Sequence, residues 1–272
     1  IFLQQVPITF FFENSLLKET GEIIEFENIE FQEYLAACEL LLLGPSSQVT
    51  YELALDKELR QIIPSWYNTL GYVLDQDSSL LRPLFDLART NAVEASIDND
   101  YHRLISRVSF VSVDEEARKE IFENSVTYHQ EALHWIDWDI CRSLSYFSYP
   151  GQEDFLKSYL QKTDFSSPTA RYIQLGNAAL LAGFLFERNA LQDREFWKTK
   201  LIELLNDTEH EGTLQHHALS ALADMKDATI IPSILAVRNN LEKSARDSLI
   251  QMLIDLAPEE ESSLEVFSDG VK

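Results

Sequence analysis

Six histidines and two cysteines are the side chains best suited to hold a metal or activate a nucleophile, and their spacing favours neither task. Among His102, His129, His134, His210, His216 and His217, His129 and His134 stand five positions apart, and His216 and His217 are adjacent. Side chains on a helix meet at spacings of three or four, so each of these sets should diverge. Cys38 and Cys141 form no C-x-x-C, and no H-E-x-x-H occurs. A tetrahedral zinc set is therefore not expected. Asp137 and Asp139 flank Trp138, and two carboxylates beside a cleft could do acid–base chemistry. Nothing in their spacing sets them apart from the other acidic residues, so they read as solvated groups, with Trp135 and Trp138 as packing residues. The sequence also lacks G-x-x-x-x-G-K-S/T, G-x-G-x-x-G and G-x-S-x-G. Without a phosphate cradle or a strained nucleophile elbow, a non-catalytic segment is the expectation.

The elements that position these groups belong to an ordinary globular composition, 272 residues with 45% apolar and 25% charged side chains. Acidic residues outnumber basic ones by 45 to 22, a formal net charge of -23. Such a surface repels phosphate backbones and anionic lipid, so neither nucleic acid nor a membrane is an expected partner. Two isolated cysteines in apolar surroundings point to buried thiols in a reducing compartment, hence the cytoplasm. The opening Ile1–Gln5 has no basic region ahead of an apolar stretch, so no signal peptide is expected. The longest apolar run, Ala178–Phe186, has nine residues, about half of what a membrane-spanning helix needs.

Periodicity divides the chain into three segments. In residues 1–43, the apolar run at Phe10–Phe12 leads to a turn at Thr20-Gly21, and Ile24 and Phe26 then alternate with Glu25 and Glu27 as in a strand with one wet face. A helix follows, with Phe31, Leu35, Cys38 and Leu42 on one stripe that should be buried, ended by Gly44-Pro45. Residues 44–165 read as helical throughout and rich in large aromatics, with breaks near Pro64, Asp75–Ser79, Asn99-Asp100, Asp114 and Tyr149–Gly151. Residues 166–272 contain a repeat. Ser167-Pro168 begins a helix in which Ala178–Phe186 must be covered on several sides, and Asp193 caps the next helix, bearing Trp197, Leu201 and Leu204/Leu205. Leu214, Ala218, Ala221/Leu222 and Met225 then form a stripe that Ala245, Leu249, Met252/Leu253 and Leu256 reproduce 31 residues on. Between them lies a short helix capped by Asp227. Helix pairs with such a period stack because neither can bury its apolar side alone. The fold class expected is all-α, an α/α superhelix preceded by a short β-hairpin. On the repeats, the polar residues His216, Ser220, Asp224, Asp247 and Gln251 should point away from the stripe and form a recognition surface for a protein partner.

The run Ser15–Ala37 resembles the end of the winged-helix region of NACHT-type NTPases of the STAND class. In that family a wing hairpin is followed by a helix that opens phenylalanine-glutamine-glutamate-tyrosine-leucine-alanine-alanine. Phe26 and the stretch Phe31, Gln32, Glu33, Tyr34, Leu35, Ala36 and Ala37 match this pattern. Most members carry a histidine two residues after the strand phenylalanine, where it approaches the phosphates of bound ADP. Asn28 stands there instead, able to donate a hydrogen bond but not to carry charge. It is equally suited to cap the helix that follows. The Ile63–Leu70 stretch is similar, less specifically, to the region that follows the motif in bacterial members, and the C-terminal repeats are similar to HEAT repeats.

The resemblance implies a regulatory or sensor segment C-terminal to an ATP-binding domain. ATP, ADP and magnesium would bind that upstream domain, and this segment would hold no cofactor. It further implies contact with the NACHT domain in cis, oligomerisation on activation and, in bacteria, defence against phage. The apolar start and the end at Lys272 suit a piece of a longer chain. The alternative is a HEAT-like scaffold that stands alone, binds a basic protein partner and has no nucleotide partner.

Overall fold

A computed structural model of the chain describes residues 16–20, 23–56, 61–91, 100–106, 108, 113–207 and 212–256. The run at Phe10–Phe12, the turn residue Gly21, Asn99, Phe110 and His210 lie outside them. The chain gathers into two compact units, Ile1–Val113 and Asp114–Lys272.

The first unit begins with an antiparallel hairpin of β1 (Leu17–Thr20) and β2 (Ile23–Phe26), in which Leu17 faces Phe26 and Thr20 faces Ile23. The Glu27 N–H donates to the Leu16 carbonyl at 2.9 Å and closes the ladder where α1 (Ile29–Leu43) begins. Asn28 has extended backbone, and its Oδ1 accepts from the Glu30 and Phe31 N–H groups at 2.7 and 3.3 Å. It is therefore the N-cap, meeting two of the donors that a helix start leaves without partners. Gly44, with φ of 91°, ends the helix in a conformation that side chains with a Cβ rarely adopt.

α1 packs on α3 (Tyr67–Gln76), and α5 (Asp100–Ile105) packs on α3 and on α4 (Leu81–Asn91). The expected stripe on α1 is corrected here. Leu35 is buried, but Phe31 and Cys38 are half-buried and Leu42 is 58% exposed. The helix turns Ala37 and Leu40 inward instead, and Glu33 and Tyr34 meet α3 at Asn68 and Tyr72. α1 carries apolar residues on every side, so its own pattern does not say which side a neighbour will cover. A second correction follows α2 (Gln48–Ala54), in a stretch that reads as helical. β3 (Leu55–Asp56) and β4 (Gln61–Ile62) form a two-residue antiparallel ladder. Two residues are too few to show an alternation.

The second unit runs through α6 (Glu115–Glu131), α7 (Trp138–Leu144), α8 (Gln152–Gln161), α9 (Pro168–Glu187), α10 (Arg194–Leu205), α11 (Thr213–Asp224), α12 (Ile231–Val237) and α13 (Lys243–Leu256). Local chemistry starts several of these helices where the sequence suggests. Ser167 caps α9 with Pro168 in its first turn, Asp193 caps α10, and Asp227 caps the 3-10 turn leading into α12. α9 packs side by side with α11, and α11 with α13, while α8 backs α9, α10 backs α11, and α12 packs on α10. This is helical stacking of the solenoid kind, all-α after a short hairpin. Every residue from Ile173 to Phe186 is buried, so the apolar run is covered on several sides, by α6, α7, α8 and α11. Each large side chain in it contributes about 1.5–3 kcal/mol of burial. The stripes of α11 and α13 are likewise buried at Leu214, Ala218, Leu222, Ala245, Leu249 and Met252.

Buried amides fix how the connecting loops sit on this stack. Asn177 of α9 accepts from the Ile136 N–H and donates to the His134 carbonyl, both at 2.9 Å. Gln130 and Gln174 exchange side-chain-to-carbonyl bonds at 3.0 and 2.9 Å. Gln215 of α11 donates to the carbonyls of Leu205, Asp207 and Asn240 and accepts from the Glu242 N–H at 2.8 Å. A loop carbonyl buried without such a partner would cost about 1–3 kcal/mol.

Candidate functional site

The loop held by Asn177 delivers two tryptophans to the stack. Asp137 caps α7 by accepting from the Ile140 N–H at 2.8 Å, which makes Trp138 the first helical residue. Helical side chains lean toward the N-terminus, so a residue in this place leans past the helix start. Trp138 is 44% exposed. Its ring meets Phe184 of α9 edge-on at 5.3 Å and lies 6.4 Å from the ring of His216 on α11. The Nδ1 atom of His216 is 2.5 Å from the hydroxyl of Ser248 on α13. A row of Trp138, Phe184, His216 and Ser248 therefore crosses α7, α9, α11 and α13.

Trp135 lies deeper, edge-on to Tyr172 and His217 at 5.1 and 5.0 Å. Gly176 makes room for it: a Cβ there would fall 2.5 Å from the indole. Burial, reinforced by the neighbouring His216, pushes the His217 imidazole down to about 4. Burial also lowers His216. Both rings are therefore neutral near pH 7. The His216–Ser248 pair invites comparison with a base and its nucleophile. Among the described residues, however, the ring makes no second hydrogen bond to orient it, and Ser248 lies inside α13, where backbone N–H groups are engaged in the helix. No group of three His, Cys, Asp or Glu side chains that could hold a metal occurs among the described residues. No helix among them is long and apolar enough to cross a membrane. Cys141 is buried, and its thiol is raised by burial and then by Asp137.

The residues singled out in the sequence fall in two places. In the first unit, Phe26 and Phe31 meet edge-on at 6.1 Å, Gln32 is exposed, Glu33 accepts from Asn68 Nδ2 at 3.2 Å, and Tyr34 meets Tyr72 edge-on at 5.8 Å. The Tyr34 hydroxyl is raised by its hydrogen bond to Cys38 and by its electrostatic interaction with the same residue. The Phe26–Phe31 contact ties the hairpin to α1, and Glu33 and Tyr34 tie α1 to α3. The Asn28 Nδ2 makes no hydrogen bond among the described residues. In the second unit, Asp247 and Gln251 are exposed, whereas His216, Ser220 and Asp224 are half-buried along the seam between neighbouring helices. Trp138, Phe184 and Ser248 complete that seam. The signal for Trp138 was the Asp137 cap, which fixes its place at the helix start. Asn177 and Gln215 gave no signal, because their clamps to His134 and Glu242 reach 43 and 27 residues along the chain, beyond any local period.

Neither a protein-family model, nor a curated protein, nor a solved structure matches the chain.

Proposed function

We propose that this chain is a non-catalytic regulatory and sensing segment of a larger NACHT-type, ATP-dependent switch. The observation that carries the reading is the run Ser15–Ala37, in which a hairpin passes through a capping Asn28 into a helix bearing Phe31–Ala37 in the order of the family motif. Nucleotide and magnesium belong, on this reading, to an ATP-binding domain upstream. The stacked helices of the second unit are the surface that meets the trigger, around His216, Ser220, Asp224, Asp247 and Gln251. Their apolar stripes are committed to the stack, while exposed positions such as Asp247 and Gln251 are open to variation without disturbing it.

The reading is tested on the intact gene product. The region encoding residues upstream of Ile1 should contain a G-x-x-x-x-G-K-S/T loop, and its absence would sink the proposal. Deletion of residues 207–272 should abolish the response to the trigger while nucleotide binding persists. A truncated protein that still responds would place the sensor elsewhere.

A further inference from the structure

We infer that the seam crossed by Trp138, Phe184 and His216 docks a basic segment of a protein partner, with a lysine or arginine side chain laid on the Trp138 indole. This rests on the sensing role proposed for the same helices and names the chemistry of what they sense. Trp138 exposes 44% of its surface, whereas Trp197 is buried and Trp66 and Trp135 are half-buried. Tryptophan is enriched among the residues that anchor interfaces and is the best aromatic platform for a cation. Phe184 braces the ring edge-on, so the platform is held in place before a partner arrives.

The charges around this ring select the sign of the partner. α9 carries no lysine or arginine after Arg171, and α11 carries none at all. Arg171 is itself bound to Asp207. Arg142 on α7 pairs with Asp139 at 3.8 Å, and Arg188 lies 3.7 Å over the Tyr146 ring. Arg188 and Tyr146 show that a guanidinium settles on an exposed aromatic of this same unit. Asp224 lies against Gly183, next to Phe184 in sequence, and Glu187 is exposed at the end of α9. His216, kept neutral by burial, does not oppose a cation. The net charge of -23 steers a basic segment toward the protein from a distance.

The test uses the whole chain and a labelled dodecapeptide that alternates arginine and leucine, read by fluorescence anisotropy. Versions with glutamine or glutamate in place of arginine serve as comparisons. The arginine peptide should bind at least tenfold tighter than the glutamine peptide, and the glutamate peptide should not bind. Trp138→Ala leaves the net charge unchanged and should weaken binding about tenfold, while Trp138→Phe should retain most of it. Ser220→Lys, which puts a cation on the seam without touching Trp138, should weaken binding several-fold, about as one like charge nearby does. Equal affinity of Trp138→Ala and the unaltered chain would overturn the inference, as would equal affinity for the arginine and glutamine peptides. In the intact gene product, a Trp138→Ala variant that loses its response although the peptides are not discriminated would keep the sensing role and remove the basic partner. Discrimination among the peptides with a normal response in that variant would keep the docking site and remove the sensing role.

Discussion

Asn28 closes the start of α1 with one oxygen and leaves its amide nitrogen open, so its two roles separate by substitution. Asn28→Ala should cost about 1 kcal/mol in chemical denaturation, the usual worth of an N-cap. Asn28→Asp keeps the accepting oxygen and should fold normally, but loses the donor that could reach a phosphate. If that variant lowers ADP retention in the intact switch, the residue contacts nucleotide; unchanged retention restricts it to capping. His217 is a second side chain with a measurable signature. Its pKa is about 4 against an ordinary 6.5, so on acidification the unfolded chain takes up this proton before the folded one does. The stabilisation is complete above pH 6.5 and is lost as pH falls through about 4. Between pH 7.5 and 4.5 the unaltered chain should lose about 2 kcal/mol more stability than His217→Leu. Identical pH slopes in urea titrations of the two proteins would show that the imidazole is not held neutral by the fold.

At the scale of elements, the approach of α9 to α11 depends on one missing side chain. A Cβ on Gly183 would fall 3.2 Å from the Ala221 backbone and 2.8 Å from Asp224 Oδ2, whereas one on Gly71 of α3 would make ordinary contact with Leu104 at 3.9 Å. Alanine in an open helical position stabilises by up to about 1 kcal/mol, and overpacking costs about 1–3 kcal/mol. Thermal unfolding should therefore move in opposite directions, up for Gly71→Ala and down for Gly183→Ala. A joint at the other side of the stack is Glu153 on α8, which accepts from the N–H groups of Gln192 and Asp193 and from Trp197 Nε1 at 2.9–3.0 Å. Burial raises its carboxyl, but these bonds and Lys157 outweigh it and leave the group below its ordinary value. Glu153→Gln sets an amide N–H against donors and should cost about 2 kcal/mol. A change below the error of denaturation would mean that α10 is held by its apolar contacts alone.

For the whole molecule, the division at Val113 and Asp114 predicts that residues 114–272 fold without the first unit. Circular dichroism of that fragment should show native-like helix and a single cooperative transition; a gradual loss of signal would show that the two units depend on each other. The same division places α6 to α8, which belong in sequence to the aromatic-rich stretch 44–165, in one unit with the repeats.

By itself the sequence determined whatever depends on neighbours within about two helical turns. Asn28, Ser167, Asp193 and Asp227 start their helices, and the stripes of α11 and α13 are buried where the period of 31 places them, save Leu256, which is half-buried. Capping and amphipathic spacing are local properties of the chain, and they leave a mark in its order of residues. The tertiary structure alone decided which side of α1 would be covered, because a helix apolar all round gives its neighbour several equivalent choices. It also decided that Leu42 would be left exposed, that two residues at Leu55 would pair with two at Gln61, and that Trp138 would stay half open beside His216 and Ser248. Each of these rests on a contact between groups distant along the chain, fixed by packing and by buried clamps such as Asn177. A period says that a face must be buried; only the folded chain says against what.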